Sequence, residues 1–393
     1  MLFERRIFTR LKGEIEAKEV TVITGMRRVG KTTAMRYLYD LLQSKNKVFL
    51  DLENPINRKV FEEDNYDSIW KNLKQFGITD SQKAHIFLDE AQNLPELSRV
   101  VKYLYDHFDI KFFLTGSSSY YLRNLFPESL AGRKIVFELF PLNFSEFLVF
   151  KGIHRVEQST FRDKAANKNK VAYANLEPLY QEYMEFGGFP SVVLEENLER
   201  KRVLLSEIFT SYFEKDAKNL ADFRDMSKLR DLILLLAPRV ASRIEIQKLA
   251  SELSLSRQSV YNYLSFLEQT YFILLMPKHS ASIDRQAAGS KKLFFCDSGM
   301  VNVLGKVSQG QIFEQSVFQN LRGHYEVSYF SKDGANEIDF ILDGSCALEA
   351  KLSFSPRDSR LLRQRSIGLN FSESYIVTDH FTDKPDAILA VDL

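Results

Sequence analysis

With 393 residues, 45% of them hydrophobic, the chain can furnish two or three domains with a core each. Its 53 lysines and arginines against 52 acids leave a net charge of +1, which excludes a global field drawing the whole molecule onto nucleic acid or an anionic membrane. The two cysteines, Cys296 and Cys346, fall in strand-like runs and suggest no disulfide framework, and the six histidines form no HxxxH or CxxC pairing that would hold zinc.

The N-terminal stretch MLFERRIFTRLKGE is charged from its fourth residue, and apolar runs such as LILLLA fall far short of the roughly 18 residues that span a bilayer. No export signal or membrane anchor is expected, and the reading is of a cytoplasmic chain. Residues 1–150 alternate strand and helix. EVTVIT, KVFLDL, HIFLDE, KFFLTG and KIVFEL are nearly continuous apolar runs suited to buried parallel strands, and TTAMRYLYDLL, DSIWKNLKQF and PELSRVVKYLYDHF carry helical spacing between them. This is an α/β pattern of repeated βαβ units. PLNFSEFLVF follows, then a polar stretch from Arg155 to Pro178 that reads as a long exposed loop. The segment 151–225 otherwise reads as helical, interrupted at Gly187-Gly188-Phe189-Pro190. Residues 226–290 read as three short helices and a strand, the order of a winged helix-turn-helix. Residues 291–393 give a strand, a helix, three strands, a helix and a strand. No internal repeat is present.

TVITGMRRVGKTT places Gly25, Gly30, Lys31 and Thr32 in the pattern GxxxxGK[ST], after an expected strand and before an expected helix. Glycines let backbone amides turn inward around phosphate oxygens, Lys31 reaches the β and γ phosphates, and the Thr32 hydroxyl ligates Mg²⁺. Two βα units on, HIFLDE ends in Asp89, placed to hold the metal through water, and Glu90, placed to polarise the attacking water. Thr115 and Ser117 in KFFLTGSSS close the next strand, where they could sense the γ-phosphate or simply cap the strand end. The expected cofactors are ATP and Mg²⁺.

The set GMRRVGKTT, FLDEAQ, FLTGSSS, LAGRKIVFELFPLNFSEF, GGFP, IFEQSV, NEIDF and LEAKLS resembles the bacterial and archaeal AAA-type ATPases that carry a C-terminal domain of unknown function related to PD-(D/E)xK nucleases. The resemblance covers nearly the whole chain. It implies a P-loop NTPase sheet of order 5-1-4-3-2, an ATPase cycle, and a restriction-endonuclease-like α/β tail. By it, Arg133 in LAGR is a candidate arginine finger, in cis or in trans to a neighbour in a homo-oligomer, with a purely structural role as the alternative. Arg27 and Arg28 lie in the variable part of the loop, and Arg28 and Thr33 complete the candidate nucleotide-binding set.

The expected recognition helix offers Arg257, Gln258 and Asn262 with Glu268 against them, a thin equipment for reading DNA. A protein contact is the competing use of the winged helix. In the tail, EIDFILDGSCALEAKLS supplies Asp339, Glu349 and Lys351, the two carboxylates and lysine of a metal-dependent nuclease site. A two-residue turn through Asp343-Gly344 would put Asp339 and Glu349 on opposite faces, whereas a three-residue turn through Ser345 pairs Leu342 with Cys346 and brings them opposite each other. The second is favoured. Glu314 could join the metal from the preceding helix, and Arg357, Arg360 and Arg363 form a basic stripe where phosphates could rest. The tail is therefore expected either to act on DNA as a nuclease-like domain or to bind partner proteins without cleavage.

Overall fold

The computed structural model describes residues 3–116, 132–156, 158–217, 226–280, 289–332 and 336–393. Ser117 and the first two residues of LAGR lie outside them. The chain divides into two units: Met1–Phe140 with Glu214–Ala221 and Gln269–Tyr271, and Pro141–Phe213 with Asp222–Glu268 and Phe272–Leu393.

The first unit is built on β1 (Val20–Thr24), β2 (Lys47–Asp51), β3 (Ala84–Asp89), β4 (Ile110–Gly116) and β5 (Lys134–Glu138), all parallel in the order β2-β3-β4-β1-β5. Every residue of β1, β3 and β4 is buried, which is why their sequences read as unbroken apolar runs. On one face Val22, Leu50, Ile86, Leu88, Phe112 and Leu114 pack with Trp70 and Leu104. Phe87 stacks on Phe113 with ring centroids 4.4 Å apart. The edge strand β5 exposes Ile135 and Val136. Because the strands are parallel, the ends of β1, β3 and β4 meet at one edge of the sheet, where the loops that follow them converge.

In the second unit, β8 (Val327–Lys332), β9 (Asn336–Leu342), β10 (Cys346–Lys351), β11 (Glu373–Thr378) and β12 (Ala387–Leu389) form a mixed sheet of order β12-β11-β10-β9-β8. The β8-β9-β10 ladder is antiparallel, and β11 and β12 run parallel to β10. Helix Gln309–Leu321 packs its Phe313, Val317 and Phe318 into the core beneath this sheet. Helices Met226–Leu236, Ile246–Leu253 and Arg257–Gln269 precede an antiparallel pair, β6 (Ile273–Met276) with β7 (Lys292–Phe295).

One expectation is overturned here. The stretch from Arg155 to Pro178 is not a long loop: it holds helix Phe161–Ala166 and the first half of helix Lys170–Phe186. Thr160 and Asn169 cap the two helices through their side-chain oxygens, and Pro178 lies inside the second. A mid-helix proline costs about 3 kcal/mol, and burial of Leu176, Tyr180, Tyr183, Met184 and Phe186 along the same helix offsets it. Beyond it, Gly187 and Gly188 are a close-approach site rather than a plain helix break. A Cβ on Gly187 would lie 1.8 Å from Asp297 Oδ1, and the Gly188 amide donates to Asp297 Oδ2 at 2.7 Å.

Candidate functional site

The loop after β1 turns on Gly25 at φ 148° and Gly30 at φ 101°, and Gly30 is the N-cap of helix Lys31–Leu41. A Cβ at Gly25 would lie 2.0 Å from the Leu139 carbonyl oxygen, so only glycine lets the loop start there. Lys31 is 5% exposed and its Nζ donates to the Gly25 and Met26 carbonyls at 3.0 Å each, which carries the ammonium across the loop. Burial lowers its pKa, and the charges of Glu90, Asp216 and Asp89 pull the other way. Thr33 and Arg28 are exposed, Arg28 in the left-handed region at φ 59°.

Two contacts that sequence reasoning did not find brace this loop, one through Arg5 and one between Arg27 and Asp216. Arg5, ahead of the first helix and 6% exposed, donates to the Val29 carbonyl at 3.1 Å and to the Phe140 carbonyl at 3.0 Å. Arg27 Nε meets both oxygens of Asp216 at 2.9 and 3.0 Å. Neither carries a motif, since the partners lie far away in sequence.

Asp89 is the hub of the site. Its Oδ2 accepts from the Thr32 hydroxyl at 2.8 Å and its Oδ1 from the Thr115 hydroxyl. Burial raises its pKa, and those two hydroxyls hold it down. The Thr115 oxygen in turn accepts the Glu90 backbone N–H at 3.0 Å. Glu90 sits at φ 54°, ψ 50°, a left-handed conformation unusual for this residue type. Its carboxylate accepts from Gln92 Nε2 and its carbonyl from Asn93 Nδ2 at 3.0 Å. The structure thus brings Lys31, Thr32, Asp89, Glu90 and Thr115 to one sheet edge. A hydroxyl and a carboxylate 2.8 Å apart at the end of a phosphate loop are hard oxygen donors that fit Mg²⁺.

Arg133 is elsewhere. Its carbonyl accepts from Val20 N at 2.8 Å at the start of β1, and its guanidinium is 3.3 Å from Asp106 Oδ1. The length of β1, about 15 Å at 3.3 Å per residue, separates it from the phosphate loop. That leaves a structural role or service to a neighbouring chain.

In the second unit, Leu342 pairs with Cys346 and Leu348 with Phe340, the three-residue register, with Asp343 and Gly344 at φ 48° and 67°. The ladder stops there, and Asp339 Oδ2 accepts the Ala350 N–H at 3.0 Å. Glu349 is 8% exposed, with Oε1 3.0 Å from Lys351 Nζ and Oε2 3.8 Å from Arg365. Burial raises the Glu349 pKa against the pull of Lys351. Glu314 is turned to a residue absent from the sequence reading: Lys292 Nζ is 2.6 Å from its Oε1. Burial opposes the Lys292 charge, yet Asp339, Glu314 and Glu337 together raise its pKa above the ordinary lysine value. Among the described residues, no group of three or more His, Cys, Asp or Glu side chains is placed to hold a metal ion, so the set of Glu314, Asp339 and Glu349 is not assembled as a metal cage. Arg357, Arg360 and Arg363 are exposed on helix Pro356–Gly368. No helix among the described residues is long and apolar enough to cross a membrane.

Comparison with known proteins agrees with the first unit. An AAA domain family matches residues 17–148, and a domain of unknown function (DUF8612) matches residues 177–311. The uncharacterized protein MJ1544 of Methanocaldococcus jannaschii is 30% identical over 341 residues, covering 83% of this chain and 72% of that one. An uncharacterized protein of Haemophilus influenzae is 27% identical over 336 residues, covering 82% and 79%. Among solved structures, the Walker-type ATPase paby2304 of Pyrococcus abyssi shares the fold at 16% identity and a TM-score of 0.50, over 77% of this chain and 95% of that one. The chain belongs to one family with the Methanocaldococcus jannaschii protein, and its first unit is an AAA-type P-loop ATPase domain.

Proposed function

We propose that the chain hydrolyses ATP with Mg²⁺ and uses the cycle to govern a nuclease-like second unit that engages DNA. The observation that carries the first half is the Asp89 hub, which ties Thr32 of the phosphate loop to Thr115 of β4 and, through it, to Glu90. Thr32, directly, and Asp89, through water, would hold Mg²⁺, which when bound would supply charge neutralisation at the phosphates. Lys31 neutralises the same oxygens from the loop side. Glu90 accepts the proton of the attacking water, and Gln92 keeps its carboxylate oriented. The strained Glu90 backbone is fixed by Thr115 and Asn93, so the base stays aimed between turnovers.

For the second unit, support comes from the three-residue register, whose last pair, Leu348 with Phe340, immediately precedes Glu349 and follows Asp339, from Lys351 Nζ 3.0 Å from Glu349 Oε1, and from the arginine stripe on the next helix. Three helices followed by an antiparallel strand pair have the element order of a winged helix-turn-helix, which serves here as a contact module for DNA or protein. The competing reading is a nucleotide-operated scaffold whose second unit only binds protein partners.

Lys31→Ala should abolish ATP turnover, whereas Glu90→Gln should bind nucleotide normally and turn over at least 100-fold more slowly. Near-normal turnover in Glu90→Gln would remove Glu90 as the base. Turnover measured with single-stranded, duplex and branched DNA decides the second half, and indifference to all three favours the scaffold.

A further inference from the structure

The carboxylates that a divalent ion would need in the second unit are already gathered around an ammonium group of the chain itself. Lys292, at the first position of β7, has a side chain only 2% exposed, and its Nζ lies 2.6 Å from Glu314 Oε1, 2.9 Å from Glu337 Oε1 and 3.4 Å from Asp339 Oδ1. These acids come from a helix and a strand remote from Lys292 in sequence, so the lysine joins three elements at one point. The ammonium is hydrogen-bonded to Glu337 at 2.9 Å and more weakly to Asp339 at 3.4 Å, and it is ion-paired with Glu314 at 2.6 Å, so its single charge is set against all three acids.

Two further oxygens are engaged, and a third, Glu349 Oε2, has a cation near it but no hydrogen-bond partner. Asp339 Oδ2 holds the Ala350 N–H, Glu349 Oε1 holds Lys351, and Arg365 stands 3.8 Å from Glu349 Oε2. Four carboxylates thus face three fixed cations, Lys292, Lys351 and Arg365. A divalent ion entering beside Asp339 would have to displace a buried ammonium anchored by its own strand, or share the carboxylate with it at the cost of like-charge repulsion.

We infer that Lys292 is the resident cation of this cluster, holding Glu314, Glu337 and Asp339 in place of a divalent ion, so that the second unit takes up a phosphodiester chain without a metal and without cutting it. This rests on the reading of that unit as nuclease-like. The basic groups left to meet phosphate are the exposed Arg357, Arg360 and Arg363, with Lys351, 36% exposed though paired with Glu349, beside them.

The test uses nucleotide-free full-length Lys31→Ala chain and free Mn²⁺ followed by electron paramagnetic resonance. With Lys292 intact, Asp339→Asn should leave Mn²⁺ uptake unchanged. Adding Lys292→Met should create one site, at least tenfold tighter, that Asp339→Asn abolishes. A bound Mn²⁺ in the Lys292-intact chain that Asp339→Asn removes overturns the inference, and that arm stands even if Lys292→Met fails to fold. A folded Lys292→Met chain that gains no Mn²⁺ overturns it too. Duplex binding by gel shift in EDTA should match that in Mn²⁺, and a strict Mn²⁺ requirement counts against the resident lysine. Absence of DNA binding in both conditions strikes the DNA reading instead, so the two failures are separable.

Discussion

Thr115 is the residue through which Asp89 and Glu90 are tied together, and Thr115→Val tests that tie, and the roles proposed for the two acids, with almost no change of shape. The side chain is fully buried. Its hydroxyl donates to Asp89 Oδ1 and accepts the Glu90 N–H at 3.0 Å, so valine leaves one charged acceptor and one backbone donor without that partner. Each orphaned buried group costs about 1–3 kcal/mol. Asp89 keeps the Thr32 hydroxyl at 2.8 Å, which limits its share and puts the expected loss of unfolding free energy at about 2–4 kcal/mol. The kinetic effect comes through Glu90, whose left-handed backbone relaxes once the Thr115 bond is gone. If about 1.4–2.8 kcal/mol of that loss appears only in the transition state, kcat falls roughly 10- to 100-fold. The KM for ATP should stay within about threefold, because Lys31 and the loop amides that hold the phosphates are untouched. Steady-state turnover with denaturant unfolding measures both effects, and Thr115→Ser, which keeps the hydroxyl, should recover most of each. A valine variant with wild-type kcat would refute the reasoning, and a raised KM at unchanged kcat would make Thr115 a nucleotide contact instead.

Arg133→Ala should not change turnover in dilute, monomeric samples, because its guanidinium lies beside Asp106 at the sheet edge opposite the phosphate loop. If Arg133 serves a neighbour, turnover per chain should rise with concentration, and mixing Arg133→Ala with Lys31→Ala chains should restore activity; a concentration-independent rate ends the trans assignment. Lys111, fully buried with its Nζ 2.9 Å from Thr21 Oγ1, has its pKa pushed down by burial from 10.5 to about 8. The unfolded chain then binds this proton more tightly than the folded one, so the lysine weakens the fold below pH 8 and the penalty is relieved as pH rises from 8 to 10.5. The span is worth up to about 3 kcal/mol. Lys111→Met should remove that upward slope in urea-unfolding free energy measured across this window, and an unchanged slope would assign it to other groups.

What could be read from the sequence was set by how far apart the cooperating residues lie. Gly25, Gly30, Lys31 and Thr32 are neighbours along the chain, so their chemistry is printed as a pattern. Asp89 and Thr115 end apolar runs, and in a parallel sheet strand ends share an edge, so topology alone brings them to Thr32. The hairpin register was legible only as a choice between two turn lengths, since turn length fixes which residues face each other, and the favoured one holds, with Leu342 paired to Cys346. The readings weakened where local rules compete with burial. Pro178 signals an end to a helix, yet the apolar face from Leu176 to Phe186 carries the helix through it, and only packing reveals that. Lys292 was the least accessible of all. In KKLFFC it looks like a charged flank before a strand, indistinguishable from Lys291, and nothing in its neighbours announces that Glu314, Glu337 and Asp339 will converge on it. Motif reading finds Glu337, Asp339 and Glu349 because their spacing alternates along two strands. It cannot find the cation that answers them, because that cation comes from a different element, and the difference between a metal site and a salt-bridged cluster is decided by that one residue.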